Sequence, residues 1–320
     1  MKAGEPEPPH RTSPDSQAGV TRRQFLISGG IVVAGLAAAG AVGWRSWRVR
    51  DAWYRFSGAY GEPGTPPPAY GVTYADGELP SVHLDAPASF AIAYPPGVKP
   101  DGTAAVRKLP VLICLPGRGR SPGEVLRGGL RFGDYVADAI DKRGVTPFAV
   151  AAVQASDTYW HPRESGDDAM AMLVDEFIPF VRRELALGGP LAVMGWSMGG
   201  YGALRAAELH PQRFRGVCAV SPALWRSFDA GVGDAFDSAE DYVANDVYTG
   251  VGRLRGMPVR LDCGRQDPFY EAALAFAEAL PEPPAGGFEP GGHNDAYWRR
   301  VAPAEVDFVG RVFGGASPGA

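Results

Sequence analysis

The segment from Leu191 to Ala203 restricts the possible fold more than any other part of the chain. Leu191-Ala192-Val193-Met194 is an apolar run of strand length, and it passes without a spacer into Gly195-Trp196-Ser197-Met198-Gly199-Gly200-Tyr201-Gly202-Ala203. A strand that turns directly into a helix holds the residue at the turn in a strained conformation, its side chain thrust above the sheet. Glycines two positions before and after the serine suit that turn, because a Cβ at either place would collide with a neighbouring element. Gly200, Gly202 and Ala203 carry the small-residue character into the helix, which can then lie close to the sheet. The helix N-terminus also aims its free N–H groups at the serine, and the amide of Met198 is placed to face a developing oxyanion. A G-x-S-x-G string occurs by chance; its position between an apolar strand and a helix gives it weight.

The remaining chain supplies the sheet that such a turn needs. Two or three short strands over 71–97 suggest an antiparallel start, with 90–94 stopped by Pro95-Pro96-Gly97. Apolar runs at 109–115, 147–153, 191–194, 217–220 and 259–263, with Phe288, are strand candidates. Between them, 135–143, 169–185, 199–209 and 271–280 carry helical patterns; in 169–185 the polar residues Asp175, Glu176, Arg182 and Arg183 occupy the remaining face. Mostly apolar strands alternating with amphipathic helices predict a parallel sheet covered on both faces. The expected class is therefore α/β, specifically an α/β-hydrolase fold with antiparallel N-terminal strands. The three cysteines, Cys114, Cys218 and Cys263, all fall in apolar runs and read as free, buried side chains. No Cys/His spacing suggests a metal site, and no motif calls for a cofactor.

The front of the chain reads as an address. Residues 1–55 hold eight basic groups against four acidic ones, so the rest of the chain is more acidic than the overall formal charge of −5. An acidic body without a basic stripe argues against nucleic acid as a partner. After a polar tail over 1–20, Thr21-Arg22-Arg23-Gln24-Phe25-Leu26 opens a run without charge over 25–44. Paired arginines ahead of an apolar stretch resemble a twin-arginine export signal. The small residues Ala39-Gly40-Ala41 offer a cleavage site; alternatively the run, about 30 Å long as a helix, can associate with a membrane. Residues 45–69, rich in Gly and Pro toward their end, read as a linker, and the folded domain is expected over 70–315.

A serine hydroxyl is a poor nucleophile at neutral pH and needs a base, which needs an orienting acid. Of the five histidines, His10 lies in the tail, His83 among the early strands, His161 in a loop after Tyr159-Trp160, and His210 at the far end of the serine's helix, about 20 Å away. His293, in Gly291-Gly292-His293-Asn294 after the last strand candidate, remains, and the chain order Ser, acid, His also favours it. The segment Arg260-Leu261-Asp262-Cys263-Gly264-Arg265-Gln266-Asp267-Pro268 offers two acids. Asp262 falls within the strand, whereas Asp267 lies beyond its C-terminal end, where ligands bind in such sheets, so Asp267 is preferred and Glu271 is a reserve. A second oxyanion amide is expected from Pro116-Gly117-Arg118-Gly119-Arg120, with the N–H of Arg118 chosen and Gly117 or Gly119 as alternatives of register. Trp196, His161 and Trp298 are candidates for the walls of a substrate cleft, as is the acidic stretch 225–257.

Five strings together resemble the esterase D-like family, which includes S-formylglutathione hydrolases, feruloyl esterases and mycolyltransferases. They are Ala93-Tyr94-Pro95-Pro96-Gly97, Leu115-Pro116-Gly117, the glycine-flanked serine, Cys263-Gly264-Arg265-Gln266-Asp267-Pro268, and Gly291-Gly292-His293-Asn294-Asp295-Ala296-Tyr297-Trp298. The resemblance spans roughly residues 75–313. It implies a triad of Ser197, Asp267 and His293 and oxyanion amides from Arg118 and Met198. Together with the export signal, the expected function is an exported carboxylester hydrolase acting on a small-molecule, lipid or carbohydrate ester. Acyl transfer to a sugar hydroxyl is the alternative, weakened because mycolyltransferases use a glutamate where Asp267 stands; an inactive surface-binding protein is the third reading.

Overall fold

In the computed structural model, which describes residues 47–228 and 232–315, the apolar runs become one eight-stranded sheet. The strands are β1 (Thr73–Leu79), β2 (Ala88–Tyr94), β3 (Val111–Leu115), β4 (Ala149–Gln154), β5 (Leu191–Trp196), β6 (Phe214–Val220), β7 (Val259–Gly264) and β8 (Ala285–Glu289). Their order is β1-β2-β4-β3-β5-β6-β7-β8. β2 pairs antiparallel with both β1 and β4, and every other pairing is parallel. This is the expected α/β-hydrolase arrangement, antiparallel start included.

The period-two alternation of each strand divides the core into two halves. Val111, Ile113 and Leu115 of β3 face one side, packed with Phe177, Val181, Ala203 and Leu204. Leu112 and Cys114 face the other, with Phe132, Tyr135, Tyr297 and Val306. The helices that cover the sheet include α1 (Phe132–Arg143), α2 (Met198–Leu209), α3 (Tyr270–Ala279) and α4 (Asp295–Gly314). The helical stretch expected over 169–185 runs from Ala169 to Arg183 and contains a π-helical turn at Met172–Phe177. The cysteines are buried in β3, β6 and β7, as expected.

Three features go beyond the sequence reading. α4, the longest helix among the described residues, contains Pro303, a helix breaker that masks its pattern. Two compact units divide the chain at Trp53/Tyr54, and the expected polar tail and signal over 1–44 lie outside the described residues. Within the second unit, much of the Gly/Pro stretch expected to be a linker is bonded to the domain. The Gly64 N–H donates to the Ala296 carbonyl at 2.8 Å, and Arg300 donates to the carbonyls of Tyr60 and Glu62. Tyr70 is held by Asp134 and Asp138 of α1.

The described residues of 225–257 include short helices, among them Ala239–Asn245 and Val247–Gly250, bonded to α2. The Tyr201 hydroxyl donates to the Asn245 carbonyl and Arg205 to that of Ala244, both at 3.0 Å. Beneath this insert lies Glu208, fully buried, its carboxyl oxygens without a hydrogen-bond partner and the Arg205 guanidinium 3.7 Å away. Burial pushes its pKa to about 8, and Arg205 offsets only part of that rise. A carboxyl whose folded pKa exceeds its unfolded value keeps its proton in the native state. Its contribution is therefore present below about pH 4.5 and is lost as pH climbs toward 8. Glu208→Gln is expected to flatten the fall in stability between pH 5 and pH 8, raising the denaturant midpoint relative to wild type at pH 8 and not at pH 5. Equal midpoint shifts at both pH values would contradict this.

Candidate active site

β5 ends at Trp196 and α2 begins at Met198, leaving Ser197 alone at the turn with φ 56° and ψ −119°. A non-glycine residue in that region is strained by about 1–3 kcal/mol and persists only where its surroundings hold it. Here the Ser197 N–H donates to the Val220 carbonyl at 3.0 Å, and the Ser197 carbonyl accepts from Tyr201 and Ala223. The flanking glycines are required sterically. A Cβ on Gly195 would strike the Gly199 carbonyl, and one on Gly199 would strike the Leu115 carbonyl at the end of β3.

The three residues expected to act together meet in a hydrogen-bonded row. His293 Nε2 lies 2.9 Å from Ser197 Oγ, and its Nδ1 lies 2.9 Å from Asp267 Oδ2. A carboxylate oxygen only accepts, so Nδ1 carries the proton toward Asp267 and Nε2 is left to accept from the serine. Asp267 is buried, and its second oxygen accepts the Phe269 N–H at 2.9 Å. The loops bearing Asp267 and His293 are cross-tied through Gln266. Its N–H donates to the Gly291 carbonyl at 2.9 Å, and its side-chain oxygen accepts the Gly291 N–H at 2.9 Å. Phe269 and Trp298 present ring edges or faces to the imidazole, with centroids 5.4 and 5.2 Å away. The Trp298 indole N–H donates to Ser221 Oγ at 3.0 Å, which fixes the ring behind His293.

The rival acid is placed elsewhere. Asp262 is buried in β7 and forms two bonds with Arg260, at 2.6 and 2.9 Å; burial lifts its pKa to about 6. Glu271 is exposed on α3. The loop after β3 runs beside the serine: a Cβ on Gly117 would sit 3.4 Å from Ser197 Cβ. Arg118 follows Gly117, and its guanidinium pairs with Asp234 of the insert at 3.0 Å.

Of the residues expected to wall a cleft, Trp196 and His161 are instead packed into the protein, and Trp298 is buried behind the imidazole. Trp196 is buried edge-on to Phe132, because its strand position points it to the sheet face opposite the serine's helix. His161 is buried, stacked on Phe236, with its ring nitrogens 3.0 and 2.9 Å from the carbonyls of Pro162 and Ala235. The insert does reach the site: Trp225 packs edge-on to Phe269 at 5.4 Å, and Phe269 in turn contacts His293. Sequence reasoning draws only Asp267 from its string and misses Gln266 and Phe269. Their nearness to the preferred acid was the available signal. Ser221, at φ 44° beyond the end of β6, had none.

The geometry suits attack by an activated hydroxyl on an electrophilic carbon, and the comparisons point the same way. A family model described as "Putative esterase" matches residues 81–302, well over half of the chain. A ferulic acid esterase structure superposes with a TM-score of 0.66 at 20% identity, covering 77% of this chain and 100% of the other. The fluorophosphonate-binding serine hydrolase F (FphF) of Staphylococcus aureus gives 0.61 at 17% identity, covering 75% and 98%. The S-formylglutathione hydrolase FrmB of the same organism gives 0.61 at 16%, covering 75% and 100%. At such identities the likeness to these structures is one of fold. Replacing Trp298 with Phe keeps most of the packing behind His293 and removes the bond to Ser221. It is expected to cost about 1 kcal/mol in urea unfolding; no loss would show that bond to be idle.

Proposed function

The chain belongs to the esterase family, and from that premise we propose that it is a serine carboxylester hydrolase working through Ser197, His293 and Asp267. The carrying observation is the hydrogen-bonded row from the strained Ser197 through His293 to buried Asp267. Ser197 Oγ attacks the ester carbonyl as His293 Nε2 takes its proton, and Asp267 holds the imidazolium that forms. The amides of Met198 and Arg118 stabilise the tetrahedral oxyanion. Collapse expels the alcohol, which takes the proton back from Nε2. Water, deprotonated by the same nitrogen, then resolves the acyl-enzyme and releases the acid. The half-buried ring of Phe269 beside the imidazole, with Trp225 packed edge-on against it, supports an apolar acyl group.

A fluorophosphonate probe is expected to label the wild type and not Ser197→Ala. Asp267→Asn is expected to lower kcat by about 10⁴-fold, as when a triad histidine loses its orienting acid. Asp262→Asn, assayed as folded protein, is expected to keep turnover. Labelling that survives Ser197→Ala, or a greater loss at Asp262 than at Asp267, would overturn the assignment. A panel of esters of graded acyl length locates the substrate class, and product partition toward an added sugar acceptor would assign acyl transfer in place of hydrolysis.

We propose in addition that the protein is exported by a twin-arginine route, on the strength of Arg22-Arg23 ahead of the uncharged run 25–44. A reporter fused after residue 56 is expected to leave the cytoplasm with the native pair and to be retained when both arginines are changed to lysine. Export that survives the change would remove this reading. No helix among the described residues is long and apolar enough to cross a membrane.

A further inference from the structure

We propose that Asp157, in the loop after β4, is a positioning residue that holds the oxyanion-binding loop in shape; this rests on the esterase reading above. The loop is a four-residue turn, closed by the Arg120 N–H donating to the Gly117 carbonyl at 3.1 Å. Gly119, its third residue, has φ 71°, while Arg118 is absent from the residues of positive φ, which makes the turn type II. Such a turn leaves the N–H of its third residue without a partner inside the turn. Asp157 supplies one: its Oδ1 accepts the Gly119 N–H at 2.7 Å.

That bond bears on the amide of Arg118 through the backbone. With glycine at 117 and 119 the loop has little stiffness of its own. The peptide joining Arg118 to Gly119 can rotate between type II and type I forms, since glycine accepts both signs of φ. Rotation turns the Gly119 N–H away from Asp157; the two turn types share φ of Arg118, so what is lost is the tether on the loop, and without it the glycine-flanked segment, the Arg118 amide included, can shift relative to Ser197. A carboxylate on the Gly119 N–H therefore selects one of two arrangements. The amide bond is charge-assisted and short. The second contact of Asp157, to Arg118 Nε at 4.0 Å, is between two side chains each close to half exposed, and contributes little. Gln154 Nε2, 3.4 Å from the same Oδ1, and the positive φ of Ser156 and Tyr159 shape the loop that presents Asp157.

The test compares Asp157→Ala, which removes the acceptor, with Asp157→Asn, which keeps an oxygen for the Gly119 N–H. Loss of an oxyanion donor outright costs about 10²–10³ in turnover. A misaimed donor is expected to cost less, so Asp157→Ala should lower kcat by roughly 10–100-fold with KM within about threefold, and Asp157→Asn should recover most of it. Affinity for a boronic acid, whose tetrahedral adduct places an oxygen in the oxyanion site, should fall by a similar factor in Asp157→Ala. Affinity for the carboxylic acid product should not change. Unchanged kcat in Asp157→Ala, a rise in KM alone, or equal weakening of both inhibitors would each overturn the proposal. Fluorophosphonate labelling keeps the two readings apart. A wild type that does not label refutes the esterase reading, whereas one that labels beside a fully active Asp157→Ala refutes only this inference.

Discussion

Where α2 leaves β5, its backbone passes so close to the last carbonyl of β3 that a methyl group on Gly199 has no room. The same crowding excludes a side chain from Gly195, on the other side of the turn. This backbone-on-backbone contact joins three things needed in one place. It fixes the angle at which α2 meets the sheet, forces Ser197 into its strained conformation, and brings the loop after β3 alongside the serine. The strain, about 1–3 kcal/mol, is opposed by the parallel sheet through the Val220 carbonyl and by the first turn of α2 through Tyr201. A more relaxed turn would let the hydroxyl rotate away from His293.

Asp267 and His293 reach that hydroxyl from loops at the same end of the sheet, and backbone contact again sets their spacing. A Cβ on Gly264 would strike Gly291, so the end of β7 and the loop before His293 are nearly touching, and Gln266 ties them on both its backbone and side-chain sides. This explains what was legible in the sequence. Small residues forced by close approach sit at fixed distances from the functional side chains, so the serine turn, the acid and the histidine can be read from strings around glycines. Side chains placed by packing are not marked that way. Trp196 and His161 neighbour functional or aromatic residues in sequence and yet point into the core, because strand alternation and the Phe236 ring decide their direction. α4 was hidden by Pro303, although Asn294 caps it and Tyr297, Trp298, Val301, Ala302 and Val306 follow helical spacing. The Gly/Pro stretch over 60–64 reads as a linker because its contacts are made by its backbone, the Gly64 N–H and the Tyr60 and Glu62 carbonyls, which no side-chain pattern announces.

The charges divide along a different line. Among the described carboxyls, those pushed upward by burial include Glu208, Asp262 and Glu305, and none of them touches the serine. Glu208 of α2 and Glu305 of α4 are buried without hydrogen-bond partners, and Asp262 is paired with Arg260. Asp267, equally buried, is met by the Phe269 N–H and by the imidazole N–H, so its charge has two donors. An upward-displaced carboxyl in this molecule therefore reports desolvation within the packing, whereas a lowered one such as Asp237 reports a hydrogen-bonded partner, there Arg163.

The insert over 225–257 is secured unevenly, and that bears on how the site is shaped. Its rear is fastened to α2 by the buried bonds of Tyr201 and Arg205 and by the Tyr201–Phe236–Tyr242 ring cluster. Its front meets the loop of Arg118 through an ion pair in which Asp234 is 80% exposed, and exposed pairs of this kind contribute about 0–1 kcal/mol. Changes at the front edge therefore cost little stability, while changes at the rear would disturb the helix that starts beside Ser197. Residues near Asp234 and Trp225 can therefore vary without moving the serine, because the contact that fixes Ser197 is the one between Gly199 and the Leu115 carbonyl.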